Sequence, residues 1–262
     1  MKKRTLFYAI GASALLLLLT LESSMSYDNS KKVPFLDEEM GYVIAFQAYW
    51  DDVIEQVERF RQDDLGNIKE LNIGYTGYYT TLLDLKKCHN LESLYVNAPV
   101  VGGCHYYYSS REVPKPESRE RIEQLQKELS EILQICSKLK TLYIWNPDGI
   151  CNLDSLEFLN EAKNLRLLWL EELKGVDYTP IWQCEQLIVL DISDCDIADM
   201  EGVSQLINLE GLYLDNTNIS EAGDLLDLPN LKKLEIENTP LAENEEELAL
   251  LYEAFPDIEI DK

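Results

Sequence analysis

Apolar residues recur between positions 68 and 241 in a pattern that neither a helix nor a lone strand explains. In NLEGLYLDNTNI (208–219), Leu212 and Leu214 alternate as strand residues do, while Leu209 and Ile219 fall outside that alternation. The same LxxLxL motif starts at Leu165, Leu187, Leu209 and Leu231, three successive steps of 22 residues. Earlier copies are IKELNI from Ile68, LESLYV from Leu91 and LKTLYI from Leu139. Seven copies in one phase predict a solenoid. Each copy supplies a short strand whose fourth and sixth residues enter the core. The chain then turns through a residue such as Ile219 and returns along the far side, where Leu225 and Leu228 close the core. One copy cannot bury its apolar face alone, but copies stacked as a parallel sheet, about 4.8 Å per rung, share a continuous core.

The flanks differ. MGYVIAF (40–46) is expected as a leading strand and DDVIEQVERFRQ (51–62) as a helix with Val53, Ile54, Val57 and Phe60 on one face, together an N-terminal cap over 40–67. ENEEELALLYEAF (243–255) and DIEI (257–260) are expected as a helix and a final strand in a C-terminal cap over 242–262. Between Leu91 and Leu139 the step is 48 residues rather than 22, which marks an insertion at 97–138. It opens with the Gly/Pro-punctuated loop NAPVVGGCHYYYSSREVPKP (97–116). It continues as a helix with Ile122, Leu125, Leu129, Ile132, Leu133 and Cys136 in one stripe, Glu117 and Glu120 near its start and Lys138 at its end.

Residues 1–26 carry a basic start (Lys2, Lys3, Arg4), an apolar run over 6–21 and the small residues Ser24 and Ser26, with a linker over 27–39. This is a signal peptide that is cleaved or an N-terminal membrane anchor that is retained; the run is slightly short for a bilayer span. Both readings place the remainder outside the cytoplasmic membrane, secreted or anchored at the cell surface.

The copies resemble the leucine-rich repeat family, and the 22-residue step is similar to its bacterial internalin-type branch. The resemblance implies an α/β solenoid: a horseshoe with a parallel β-sheet on the concave face and helical or irregular segments on the convex side. It also implies a non-catalytic binding scaffold. Internalin-type repeats carry Asn at the ninth position, bonding backbone between turns. Here that position holds Thr76, Pro99, Pro147, Leu173, Cys195, Thr217 and Thr239. Cys and Thr partly substitute for Asn, whereas Pro and Leu do not.

Strand positions five and seven face away from the core. They place Tyr95, Tyr143, Trp145 and Trp169 on adjacent rungs as an aromatic patch, beside Glu171, Asp191, Tyr213 and Asp215. Tyr and Trp supply contact area at low rotamer cost, so these residues are the expected partner-binding face, with Tyr106 and Tyr107 of the insertion at its rim. A protein partner is the first expectation, and the carboxylates suit a basic surface on it. A glycan stacking on the same aromatic rings is the alternative.

Charge narrows the classes further. With 23 Lys and Arg against 48 Asp and Glu the chain carries −25, which excludes nucleic acid as a partner. No GxSxG, HExxH or P-loop motif occurs, and the two histidines, His89 and His105, belong to no catalytic pattern. No enzyme activity, cofactor or metal site is expected. Of six cysteines, Cys88, Cys136 and Cys184 lie three residues before the next copy's first apolar position, where Leu206 and Leu228 stand in other copies. These three and Cys195 are expected as small buried hydrophobes rather than disulfides, since equivalent sites on the convex side exceed the ~7 Å reach of a bridge. Cys104 and Cys151 are unphased, and their pairing is open.

Overall fold

The computed structural model describes residues 33–37, 40, 41, 43, 44, 61–73, 80–97, 119–145 and 153–262. Eight strands form one parallel sheet in strict chain order: β1 (Glu70–Asn72), β2 (Ser93–Asn97), β3 (Thr141–Trp145), β4 (Leu167–Glu171), β5 (Val189–Asp191), β6 (Gly211–Tyr213), β7 (Lys233–Glu235) and β8 (Glu259–Asp261). The register follows the motif, with Leu71, Leu94, Leu142, Leu168, Leu190, Leu212 and Leu234 aligned strand to strand. Because all seven occupy the fourth position, a one-residue slip would turn the whole column out of the core. All seven are fully buried, as is the sixth-position column from Ile73 to Ile236.

On the far side the chain passes through short 3-10 turns: Leu83–Lys87, Glu157–Glu161, Thr179–Gln183, Val203–Gln205 and Gly223–Asp227. Between β2 and β3 that slot is taken by a 17-residue helix, α1 (Arg119–Ile135). It packs against the turns Leu83–Lys87 and Glu157–Glu161. The inserted chain therefore carries a convex element of its own, and β2 and β3 still pair over five residues. The helical stripe is the buried face, with Leu125, Leu129, Ile132, Leu133 and Cys136 all in the core. At the other end α2 (Glu245–Ala254) starts from Asn244, whose side chain accepts the Glu247 N–H, and it precedes β8.

The start of the chain differs from the sequence expectation. Met40, Gly41, Val43 and Ile44 are helical, not a strand. Asp37 is the reason: its Oδ1 accepts the Met40 N–H at 3.1 Å while its carbonyl accepts the Gly41 N–H at 3.0 Å, which is N-capping geometry. Met40, Val43 and Ile44 then fall at helical spacing on one buried face. A side chain at Gly41 would drive into the Phe35 ring. Of the helix expected over 51–62, only Arg61 and Gln62 are described, as a bridge and a turn. The apolar run of 6–21 lies outside the described residues, among which no helix is long and apolar enough to cross a membrane.

Three repeated devices join the coils. Asn90, Asn164, Asn208 and Asn230, each just before the first motif Leu, donate their amides to Gly66, Ser137, Glu185 and Ile207 carbonyls of the preceding coil at 2.7–2.9 Å. After β4, β5, β6 and β7 the chain turns through a left-handed residue: Glu172, Asp194, Asn216 and Asn238 all have φ near +58°. At the ninth position the substitution is uneven. Cys195 Sγ reaches the Leu170 carbonyl of the preceding coil at 3.1 Å, but Thr217 and Thr239 bond Leu214 and Ile236 of their own turn. Cys195 therefore joins two coils, whereas each Thr closes its own turn. Thr76, Pro99 and Pro147 lie outside the described residues.

Cys88, Cys136, Cys184 and Cys195 are free thiols in the core. Burial pushes Cys88, Cys184 and Cys195 up to about 12 and Cys136 to about 11, so all four stay protonated and unreactive in the folded chain. Cys104 and Cys151 lie outside the described residues.

Candidate functional site

The sheet's non-core face is built from alternate strand positions, so its chemistry is set residue by residue along each rung. Tyr95, Tyr143 and Trp169 stand in direct register on β2, β3 and β4. The Tyr95 and Tyr143 rings are tilted at 6.1 Å between centroids, and Tyr143 meets Trp169 edge to face at 6.4 Å. Edge-to-face geometry at this spacing suits the ring quadrupoles and locks the row sideways. All three are half-buried, each leaving ring surface open. The backbone of Trp145 is in register between Asn97 and Glu171, which sets it two residues along β3 from Tyr143. Its side chain, and Tyr106 and Tyr107, lie outside what is described.

From β4 onward carboxylates join the aromatic residues on this face. The Tyr143 hydroxyl donates to Glu171 Oε2 at 3.0 Å, tying the row to the first carboxylate. Asp191 stands opposite Trp169 in register, and Tyr213 stands opposite Asp191 on its other side. Burial raises the carboxyl of Glu171 above the usual range; the Tyr143 hydroxyl pulls it down, and Asp191, Asp194 and Glu172 push it up. Burial likewise raises Asp191 and Asp215, opposed by the Ser193 and Glu237 N–H groups and reinforced by Glu235. The structure thus brings Tyr95, Tyr143, Trp169, Glu171, Asp191, Tyr213 and Asp215 onto one continuous face.

Lys233, the first residue of β7 and the third of its motif copy, is a member of this face that the sequence pattern did not single out. Its ammonium lies 2.6 Å from Glu235 and 5.4 Å from the centre of the Tyr213 ring. The hydrogen bond to Glu235 raises its pKa. Its only signal in the sequence was a cation where the other six copies carry none at the third position (Glu70, Ser93, Thr141, Leu167, Val189, Gly211). Among the described residues no group of His, Cys, Asp and Glu is placed to hold a metal ion.

The 22-residue motif, the in-register Leu columns and the parallel eight-stranded sheet define a leucine-rich repeat solenoid. No protein-family model matches the chain, and no curated protein does. Among solved structures it is similar to internalin C2 of Listeria monocytogenes strain 4b F2365, at 20% identity over 84% of this chain and 95% of that one, with a TM-score of 0.48. It is also similar to an internalin, inlF, of the same strain at 19% identity, over 78% of this chain and 70% of that one, TM-score 0.36. A third is a leucine-rich repeat protein of Leptospira interrogans at 17% identity, over 77% of this chain and 62% of that one, TM-score 0.36.

Proposed function

We propose that the chain is a non-catalytic scaffold that works outside the cytoplasmic membrane and holds a protein partner on the concave face of its sheet. The observation that carries this reading is the half-open row Tyr95–Tyr143–Trp169, continued into Glu171, Asp191, Tyr213 and Asp215. Aromatic rings that already pack on one another lose little side-chain entropy when a partner covers them. Carboxylates partly withdrawn from water gain most from a basic neighbour, since attraction strengthens as solvent is excluded. The N-terminal signal or anchor segment supports the extracytoplasmic setting.

The test is selection of displayed protein ligands on the wild-type chain, followed by rebinding to Tyr143→Ala and Trp169→Ala. Ligands that lose binding to both variants while their thermal midpoints stay near wild type support the reading. Ligands indifferent to both refute it. A glycan array run in parallel decides the alternative, since glycan hits lost in Trp169→Ala place carbohydrate on the same rings.

A further inference from the structure

The face contains a cation seat that the molecule fills by itself, and a second pair of the same kind that no described residue fills. At the filled seat an aromatic residue and a carboxylate stand opposite each other on neighbouring strands, Tyr213 on β6 and Glu235 on β7. Lys233, two residues before Glu235 on the same strand, places its ammonium over the ring and on the carboxylate. Trp169 on β4 and Asp191 on β5 repeat that register exchange two strands earlier. There the residue equivalent to Lys233 is Val189, which brings no charge. Glu171 adds a second carboxylate held by the Tyr143 hydroxyl, and among the described residues no Lys, Arg or His forms an ion pair with Glu171 or Asp191.

We propose that Trp169, Asp191 and Glu171 seat an arginine side chain of the protein partner, in the manner of Lys233 on Tyr213 and Glu235. This rests on the protein-binding reading and names the partner's chemistry. Arginine fits better than lysine for a geometric reason. Its planar guanidinium lies flat on an indole and still directs parallel N–H donors at carboxylates, whereas an ammonium is a more strongly hydrated point charge. Two carboxylates beside one ring match that fork. Burial of both carboxylates favours a cation that gives up its hydration readily.

The experiment measures fluorescence anisotropy of labelled, capped hexa-arginine, hexa-lysine and hexa-citrulline peptides on the full chain at physiological salt. Hexa-arginine binds at least about fivefold tighter than hexa-lysine, and hexa-citrulline binds least. Trp169→Ala and Asp191→Asn each weaken hexa-arginine by about tenfold. Glu221→Gln, which removes the same charge from an exposed site away from this face, leaves it unchanged. Val189→Lys supplies an internal cation and also weakens hexa-arginine, while Val189→Gln does not. Circular dichroism melts of every variant establish that each is folded. Equal losses for Asp191→Asn and Glu221→Gln, or equal binding of arginine and lysine peptides, overturn the proposal as mere bulk charge attraction. If displayed ligands still depend on Tyr143 and Trp169 in that event, the arginine seat fails and the protein-binding reading stands. If those ligands ignore Tyr143 and Trp169, both fail.

Discussion

From the coil of β4 to that of β7 the first motif residues are spaced 22, 22 and 22 apart; from the coil of β1 to that of β4 the steps are 23, 48 and 26. In the regular half a left-handed residue recurs at every coil, at 172, 194, 216 and 238, and asparagine amides at 208 and 230 join two of its coils to the coil before. Its buried polar side chains, Thr217 and Thr239, bond within their own turns. The irregular half keeps such amides at Asn90 and Asn164 and adds single buried carboxylates. Asp84, fully buried, accepts the Leu36 and Asp37 N–H groups and pairs with Lys87 at 2.6 Å. Asp37 accepts both the N–H and the hydroxyl of Thr80. Glu128 of α1, also buried, accepts the Leu82 N–H, the Thr81 hydroxyl and the Gln124 amide. A repeat of constant length brings identical groups together at every step, so small identical bonds suffice. Where coil length varies, each junction is unique and one buried acid must satisfy several donors at once.

The contrast is broken most severely at Asp84. Asp84→Ala leaves two backbone donors and the Lys87 ammonium without their acceptor, and is expected to cost about 4 kcal/mol in a urea titration. Leu212→Ala, in the middle of the regular half, is expected to cost about 3 kcal/mol through its cavity. The two are distinguished by limited trypsin digestion under native conditions: Asp84→Ala opens cleavage first at Arg61, Lys69 and Lys86. Early cleavage confined instead to the C-terminal half would erase the distinction between the halves.

Asn208→Ala removes one rung of the amide ladder and is expected to cost about 1 kcal/mol, because the Glu185 carbonyl keeps access to water. Asn90→Ala should cost more, since the Asn90 carboxamide also accepts a bond from Lys138 at 2.6 Å. Equal losses would mean that the ladder is indifferent to coil regularity. Glu172 adopts the left-handed conformation that Asn216 and Asn238 hold at the equivalent place. Glu172→Asn is therefore expected to gain about 0.5 kcal/mol, read as a small rise in thermal midpoint.

The smallest expected effect is a pH dependence of opposite sign in the two halves. Glu171, Asp191 and Asp215 hold raised pKa values when folded, so the native state binds more protons than the unfolded one just above the ordinary carboxylate range. Their contribution therefore falls as pH rises through that window and recovers on mild acidification. Glu92 is held near 2 by hydrogen bonds from Lys140 and Lys69, so its contribution is present above the ordinary carboxylate value and disappears as pH falls towards 2. Thermal midpoints of Asp191→Asn and Glu92→Gln, followed from pH 7 down to about pH 2, check the two signs. Removal of Asp191 should flatten the gain on mild acidification, and removal of Glu92 should flatten the loss below it.

Much of the site was legible because strand alternation assigns every second residue to one face, whatever the partner strand. That placed Tyr95, Tyr143, Trp169, Glu171, Asp191, Tyr213 and Asp215 on one surface before any contact was known. The role of Lys233 was not legible. It depends on which residue lies across the strand boundary, and a single lysine in one copy leaves no periodic trace. The asparagine ladder stood in the sequence at positions 90, 164, 208 and 230, but these residues fall outside the apolar LxxLxL positions, so apolar periodicity does not mark them. The helical conformation of Met40, Gly41, Val43 and Ile44 was not legible either, because its cap, Asp37, precedes the apolar stretch.

The sequence by itself determined the repeat, its phase, the identity of the two core columns and the outward series of aromatic and acidic residues. These follow from local periodicity, and one copy after another reports the same alternation. Tertiary structure decided what periodicity does not carry: α1 occupying a convex slot without breaking the sheet, Asp84 and Glu128 as junction acids, and the pairing of Tyr213 with Glu235 and Trp169 with Asp191. Each of these joins residues from different coils, and such contacts exist only once burial of the shared apolar core has set the coils side by side.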